Sequence, residues 1–345
     1  MNPGALIPTP DPIPVAWAWF EGLNILTFAL HIIMVNVLVG GAALVLYMKG
    51  RRAPAAEAFS GKLPSIFALT VNFGVAPLLF LQVIYGNLFY TSSILSAGWW
   101  MAITALLICG YYLLYLYQHA MKKGGGNGYL ALGLVLMLCI GVILSSLISL
   151  MIRPAAWTVG IGGSAGTFLN FSDPTFAPRF LHFVFASLAV GGLGLAVYTR
   201  FAGRDGSAET IESGMKAFFI FTLAQMATGL WWLISLDRTV MLKFMGDSTL
   251  ATTALLVAIA CSVAALMAGI TRKVIPAAMW TTLTVLAMAC VRALVRTATL
   301  EPWYSPTNLK VTGEYSSLIL FLVTLLVGLA AIAYMLKLAS GHKEG

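Results

Sequence analysis

Apolar stretches of about 20 residues recur roughly nine times along the chain, and each is long enough to cross the ~30 Å hydrocarbon layer of a bilayer as a helix. Of the 345 residues, 60% are hydrophobic and only 9% are charged, whereas about a quarter of a typical soluble domain is charged. The sequence therefore predicts an all-α, polytopic membrane bundle of about nine transmembrane helices, with spans at residues 18–48, 65–91, 97–117, 129–151, 177–199, 216–236, 250–271, 276–295 and 316–336.

The basic residues of the short loops indicate how this bundle lies in the membrane. Loops that carry most of the Lys and Arg face the cytoplasm, and here they are "MKGRR", "AMKKGGG", "TRFAGR", "TRK" and the C-terminal "KLASGHKEG". We therefore expect the N-terminus outside and the C-terminus inside a bacterial or archaeal cytoplasmic membrane. The net charge of +8 is explained by basic loops beside anionic lipid, so no nucleic-acid partner is needed.

Residues 1–345 are predicted to form a single transmembrane domain. Residues 1–15, "MNPGALIPTPDPIPV", lack a basic region and a cleavage site of the secretory type, so they are expected to form an extended outer arm before a retained first span. Residues 338–345 are expected to form a cytoplasmic tail. No repeat of 20 to 50 residues stands out, and no C-x-x-C-H motif is present to attach a c-type haem.

Two histidines lie inside the predicted spans at matching depth. His31 comes 18 residues before Lys49, and His182 comes 18 residues before Arg200; at 1.5 Å per residue, both imidazoles lie about 27 Å from the inner boundary, near the outer face. Neutral imidazole is a common ligand of haem iron. A hydrogen bond to a neighbouring helix is the alternative for each histidine.

Other polar residues limit the choice of function. Carboxylates are almost absent from the spans, with Glu21 near the outer end of the first, which argues against a proton path across the membrane through Asp or Glu. Arg179, Arg292 and Arg296 lie near the outer boundary, where guanidinium groups either hold haem propionates or extend to lipid head groups. Met245 lies at the same outer side and is a candidate second iron ligand.

Four stretches resemble subunit I of the cytochrome bd quinol oxidases: "LTFALHIIMVNVLVGGAAL", "VNFGVAPLLFLQVIYGN", "SSLISLMIRPAAW" and "FLHFVFASLAVGGL". The resemblance covers roughly the first 200 residues. It implies that His31 is the axial ligand of an active-site haem and that His182 is a ligand of the low-spin haem b that accepts electrons from quinol. It also implies that Met245, in "KFM", is the second ligand of that haem b.

The chain departs from that family at its proton and oxygen chemistry. The stretch "GWWMAITALLICG" has none of the family's two glutamates, and "RTATLEPW" keeps only Pro302 and Trp303 of a motif that follows a haem-ligating glutamate. The long outer loop that closes the family's quinol site is cut to about a dozen residues here. A haem site that reduces oxygen is therefore not expected.

These observations predict a haem b membrane subunit that oxidises quinol and passes electrons to a c-type cytochrome or another redox partner on the outer face. Two arrangements stay open: two haems, one on His182 with Met245 and one on His31, or one haem clamped between His31 and His182. Two alternative functions also stay open. One is a terminal quinol oxidase of the bd type, and the other is a haem-free transporter or structural subunit.

Overall fold

The computed structural model describes residues 3–48, 54–163, 165–203 and 207–341. Lys49, which served above as a depth marker, and residues 342–345 of the expected tail lie outside the described residues. In the described part of the chain we number the α-helices α1 Trp17–Met48, α2 Pro54–Ser60, α3 Leu63–Leu95, α4 Ala97–Met121, α5 Asn127–Ile152, α6 Trp157–Gly163, α7 Phe176–Ala202, α8 Ser207–Ile234, α9 Arg238–Leu242, α10 Thr249–Ile270, α11 Val274–Leu300 and α12 Ser316–Gly341.

Nine of these helices are long and apolar enough to cross a membrane, namely α1, α3, α4, α5, α7, α8, α10, α11 and α12. The prediction of an all-α, multi-pass membrane protein is confirmed, and residues 3–48, 54–163, 165–203 and 207–341 contain no β-strand beyond one isolated pairing of Ile13 with Val311. Which end of the bundle faces the cytoplasm stays a prediction. We therefore call the end at which α1 and α7 begin the N-terminal end.

The helices form two halves of four spans each. In the first half, α1 packs on α3 and α4 packs on α5; in the second half, α7 packs on α8 and α10 packs on α11. The halves meet mainly where α1 packs along α7. The ninth span, α12, lies outside both halves, and its described side chains are almost all exposed.

Contacts between α1 and α7 join residues that occupy equivalent places in the two halves. The Ser187 hydroxyl donates to Asn36 Oδ1 at 2.9 Å, and Gly40 and Gly191 pack backbone to backbone. Each pair is separated by 151 residues, as His31 and His182 are. Contacts between equivalent positions are the mark of a two-fold axis, so the halves are related by an approximate two-fold axis between α1 and α7. The interval is too long to be found as a repeat of 20 to 50 residues.

Replacing Gly40 with alanine is expected to destabilise this packing by about 1–3 kcal/mol. A Cβ at Gly40 would lie 1.7 Å from the carbonyl oxygen of Ser187, so α1 and α7 would have to separate. Thermal unfolding of the purified protein in detergent measures the effect. Gly22→Ala is the matched control, because a Cβ there meets nothing within 4 Å; an equal loss of stability in both variants would contradict the prediction.

The N-terminal arm covers the N-terminal end of the bundle. Residues 3–6 form a single helical turn, and the chain then runs without regular structure to Ile13, whose amide donates to the carbonyl of Lys310 at 2.9 Å. Thr312 donates in turn to the carbonyl of Ile13 at 2.9 Å. The arm and the segment between α11 and α12 therefore pack together over α3. At the other end of the chain, α12 continues to Gly341, so the expected tail begins as helix.

Candidate functional site

His31 is held against α3 through one nitrogen of its ring. Its Nδ1 lies 3.0 Å from the carbonyl oxygen of Thr70. One turn further along α3, Gly74 leaves room for the ring, because a Cβ there would lie 2.8 Å from His31 Cε1. The carbonyl and the glycine together determine the orientation of the imidazole.

His182 is held in the same way against α8. Its Nδ1 lies 3.0 Å from the carbonyl oxygen of Gln225, and a Cβ at Gly229 would lie 3.2 Å from the ring. As on α3, the glycine follows the residue whose carbonyl accepts the hydrogen bond by four positions. Two further groups contact this ring: the Gln225 amide nitrogen lies 3.3 Å from Nε2, and the Trp232 ring lies 5.9 Å away, centroid to centroid.

These contacts leave the same nitrogen of each histidine for a ligand. A carbonyl oxygen only accepts, so Nδ1 carries the proton in both His31 and His182, and Nε2 carries the lone pair. Histidines that bind metals usually donate their other N–H to such a group, which sets the tautomer and the ring direction. At His31 the described residues offer Nε2 no hydrogen-bond partner. At His182 the Gln225 side chain is next to Nε2 and would have to move aside.

The two imidazoles face away from each other. On α1, Asn36 and Gly40 contact α7, and they follow His31 by five and nine residues. At 100° per residue they lie about 140° and 180° around the helix from the histidine. The equivalent positions of α7 give the same result for His182. The arrangement in which His31 and His182 clamp one haem does not fit this geometry, because each ring faces its own half of the bundle.

Two arginines of α11 lie near the His31 site, and among the described residues only one of them pairs with a carboxylate. The Arg292 guanidinium lies over the Phe28 ring, 4.1 Å from its centroid, and Phe28 precedes His31 by three residues. Among the described residues, Arg292 has no carboxylate within ion-pair distance. Arg296, one turn further along α11, pairs with Glu21, and its Nε and Nη1 atoms are buried without a hydrogen-bond partner.

Near His182, the arginine lies on the same helix as the histidine, α7. Arg179 donates to the carbonyl of Ser145 at 3.0 Å and lies 3.8 Å from Asp173, while its Nε is buried without a hydrogen-bond partner. Arg179 and Phe28 occupy equivalent positions, three residues before the histidine. Both histidines therefore have a guanidinium about one turn toward the N-terminal end, supplied by α7 at His182 and by α11 at His31.

Two ion pairs join the halves in equivalent places. Glu21, ten residues before His31, pairs with Arg296 of α11. Asp173, nine residues before His182, lies 3.2 Å from Nε of Arg153, which directly follows α5. Each acid therefore lies at or just before the start of a histidine helix, and each arginine lies in or directly after the last helix of the other half. Neither pairing was predicted from the sequence, because Glu21 and Arg296 are 275 residues apart and the stretches around Arg153 and Arg296 do not resemble each other.

Asp173 is a buried anion whose two oxygens both accept hydrogen bonds. Its side chain is fully buried, and it accepts hydrogen bonds from Ser149 and from the amide and hydroxyl of Thr175. Burial alone raises the pKa of this carboxyl, but the Ser149 hydrogen bond and the positive charge of Arg153, together with Thr175 and Arg179, hold the pKa below its usual range. Asp173 therefore stays ionised at neutral pH.

Replacing Asp173 with asparagine is expected to cost roughly 1–3 kcal/mol at neutral pH, because it leaves Arg153 and Arg179 short of negative charge. The pKa of Asp173 is lowered by folding, so its contribution is present above the ordinary carboxyl pKa and is lost as the pH falls through the folded value. The difference in thermal midpoint between wild type and variant should therefore shrink toward low pH. Asp247→Asn, at an exposed site, is the control, and a difference that does not change with pH would contradict the prediction.

Met245 lies away from these contacts. It belongs to the segment Lys243–Asp247 that precedes α10, and 64% of its surface is exposed. None of the contacts of His182 described above involves it. Its role as second ligand stays a prediction.

A cavity of about 470 Å³ opens at the N-terminal end near Asp173. Its polar lining includes Arg153, Asn170 and Asp237, and its apolar lining includes Val240 and Trp303. Arg153 bridges two acids there, since its Nη1 donates to Asp237 at 3.1 Å. The cavity thus combines hydrogen-bonding groups with an aromatic wall.

In the described part of the chain, no three or more His, Cys, Asp or Glu side chains converge to hold a bare metal ion. A single imidazole with a free Nε2 is instead the type of ligand that serves a haem, which brings four nitrogens of its own. Comparisons with protein-family models, with curated proteins and with solved structures found no match to this chain.

Proposed function

We propose that this protein is a haem b-containing membrane subunit that oxidises quinol and transfers the electrons to a redox partner at the N-terminal end, such as a c-type cytochrome. One observation carries the proposal. Each of two partly buried histidines donates from Nδ1 to a carbonyl of the neighbouring helix, above a helical glycine. This leaves Nε2 of His31 for iron, and Nε2 of His182 would follow once the Gln225 side chain moves aside. A single histidine of this kind could serve only as a hydrogen-bond donor between two helices. The same arrangement occurs in both halves, which supports a common role as ligands.

The same geometry supports two haems, one in each half, rather than one shared haem. His31 and His182 face opposite sides of the α1–α7 contact, and each is tied to a helix of its own half. Haem carries two propionate groups, and the buried, unpartnered nitrogens of Arg179 and Arg296 are suited to receive them. The guanidinium of Arg292 is a third candidate, because among the described residues no carboxylate lies within ion-pair distance of it.

In this proposal the bound haem supplies one-electron chemistry, and the protein residues determine its setting. Thr70 and Gln225 hold the two imidazoles in one tautomer, which directs Nε2 toward the iron and raises its basicity. The arginines would hold the propionates, and their positive charge would favour the reduced state of a bound haem.

The cavity beside Asp237 is a candidate place for the quinol ring. A quinol needs an apolar wall and groups that accept its hydroxyl hydrogens, and Trp303, Asn170 and Asp237 provide them. Electrons would then enter and leave at the N-terminal end of the bundle. The charge of the loops predicts that this end of the bundle, and the partner bound there, lie on the outer face.

A reduced-minus-oxidised absorbance spectrum of the purified protein tests the proposal. A b-type α-band is expected, with two components in a redox titration. A colourless, correctly folded protein would contradict it and would favour the haem-free transporter or structural subunit. Oxygen uptake with a quinol analogue would instead favour a terminal oxidase of the bd type.

A further inference from the structure

We infer that the Gln225 side chain is a displaceable cap on His182, which competes with haem iron for Nε2 and so weakens haem binding at this one of the two sites. The inference rests on the proposed function, because it requires iron to bind at His182. It concerns two groups in direct contact, since the Gln225 amide nitrogen lies 3.3 Å from Nε2 of His182.

Gln225 contacts both nitrogens of the His182 ring, one from its backbone and one from its side chain. Its carbonyl oxygen accepts from Nδ1 at 3.0 Å, which leaves Nε2 without a proton. An unprotonated ring nitrogen only accepts, so the group that suits it is the amide N–H of Gln225 and not the amide oxygen. The two contacts therefore require the same tautomer, and the amide occupies the lone pair that iron would use.

The first half of the bundle has the same backbone arrangement without the cap. Thr70 and Gln225 occupy equivalent positions, 155 residues apart, and each accepts from a histidine Nδ1 through its carbonyl. Gly74 and Gly229, which make room for the rings, are separated by the same interval. The Thr70 hydroxyl, however, donates within its own helix to the carbonyl of Ile66 at 2.7 Å. No hydrogen bond from the part of the chain that the structure describes reaches Nε2 of the first-half histidine.

This difference makes the two sites unequal toward haem. Coordination at His182 replaces the amide hydrogen bond with an iron–nitrogen bond, and no proton is released, because Nε2 carries its lone pair in both states. One hydrogen bond between neutral groups shifts an equilibrium on the order of fivefold. The cap reduces the fraction of protein with an open Nε2, and the apparent haem affinity of the His182 site falls by the same factor.

The cap can be removed without disturbing the contact that orients the ring. Nδ1 contacts a backbone carbonyl, which stays in place when the side chain of Gln225 is exchanged. Gln225→Thr gives the second half the side chain that the first half has at Thr70. Gln225→Leu keeps a side chain of similar volume but removes the donor, so it separates the effect of the hydrogen bond from the effect of space.

Haem titration of protein prepared without haem measures the effect at one site at a time. In a His31→Ala background, which leaves only the His182 site, Gln225→Thr and Gln225→Leu are both expected to raise the haem affinity on the order of fivefold. The same substitutions in a His182→Ala background are the matched controls. They should leave the affinity of the His31 site unchanged, because Gln225 does not cap that imidazole.

Nitrogen-15 NMR of histidine-labelled protein tests the cap in the absence of haem. A ring nitrogen that accepts a hydrogen bond resonates at a lower frequency than the same nitrogen left free. The Nε2 signal of His182 is identified by its loss in His182→Ala, and it should move to higher frequency in Gln225→Leu. The Nε2 signal of His31 should stay in place.

Three results would overturn the inference. Unchanged or lower haem affinity in both Gln225 variants would mean that Nε2 is not contested, and a rise in Gln225→Thr alone would mean that side-chain volume and not the hydrogen bond restricts the site. An Nε2 signal of His182 that does not move in Gln225→Leu would show that no cap exists. In each case the proposed function stands if wild type binds haem, whereas a protein that binds no haem in any variant overturns both.

Discussion

Replacing His31 with alanine is expected to remove one of two b-type haem components and to leave about half of the α-band absorbance, since each haem has its own axial histidine. His182→Ala should remove the other component. The reason is geometric: the imidazoles face separate halves of the bundle and are tied to different helices, Thr70 on α3 and Gln225 on α8. Pyridine haemochrome content and redox-resolved spectra of the purified variants measure the loss.

His119→Ala is the matched control for both variants, because this histidine is exposed near the end of α4 and should leave the haem content unchanged. Loss of all haem in either His31→Ala or His182→Ala alone, with the protein still folded, would support one shared haem and contradict the arrangement proposed above. Full haem content in both variants would mean that the imidazoles serve only as hydrogen-bond donors between helices.

Replacing Arg292 with methionine is expected to have opposite effects on the haem-free and haem-bound protein. In the described part of the chain, Arg292 has the Phe28 ring beside it but no carboxylate within ion-pair distance. In haem-free protein its charge is therefore a cost, and methionine should stabilise that form by on the order of 1 kcal/mol. With haem bound, the charge-assisted hydrogen bond to a propionate is lost, and the affinity for haem should fall on the order of tenfold. Thermal unfolding with and without haem measures both effects.

Arg200→Met provides the comparison, because Arg200 is exposed at the opposite end of α7 and should change neither quantity. If Arg292→Met destabilised the haem-free protein, the guanidinium would have a structural partner of its own. If haem affinity were unchanged, the propionates would be held elsewhere, and Arg179 and Arg296 would be the next residues to replace.

The positions that decide function were only partly visible along the chain. His31 and His182 stand out because an imidazole is rare in an apolar span, and their equal depth follows from counting along a helix. Glu21 is also visible as a single acid near the end of the first span, but its burial and its pairing with Arg296 depend on a contact across 275 residues. Gly74 and Gly229 look like ordinary membrane glycines until the rings above them are seen.

The two-fold relation between the halves was also only partly visible in the sequence. "HIIMVNVLVGG" and "HFVFASLAVGG" both place a glycine pair nine and ten residues after the histidine, so a comparison of the two helices alone would have aligned them. That alignment still leaves open which faces meet. The contacts of Asn36 with Ser187 and of Gly40 with Gly191 answer this, and they separate the two histidine sites.

The sequence by itself determined that the chain crosses a membrane about nine times and that two histidines lie at one depth, because hydropathy and helical rise are properties of local stretches. Only the tertiary structure decided that the imidazoles face apart and that each Nδ1 contacts a carbonyl of a neighbouring helix. It also decided that, within the described ranges, Arg292 pairs with no acid and Glu21 Oε2 has no hydrogen-bond partner. These features depend on which helix faces pack together. In a bundle whose helices are apolar on every side, the packing is chosen by small residues and single polar contacts between distant parts of the chain.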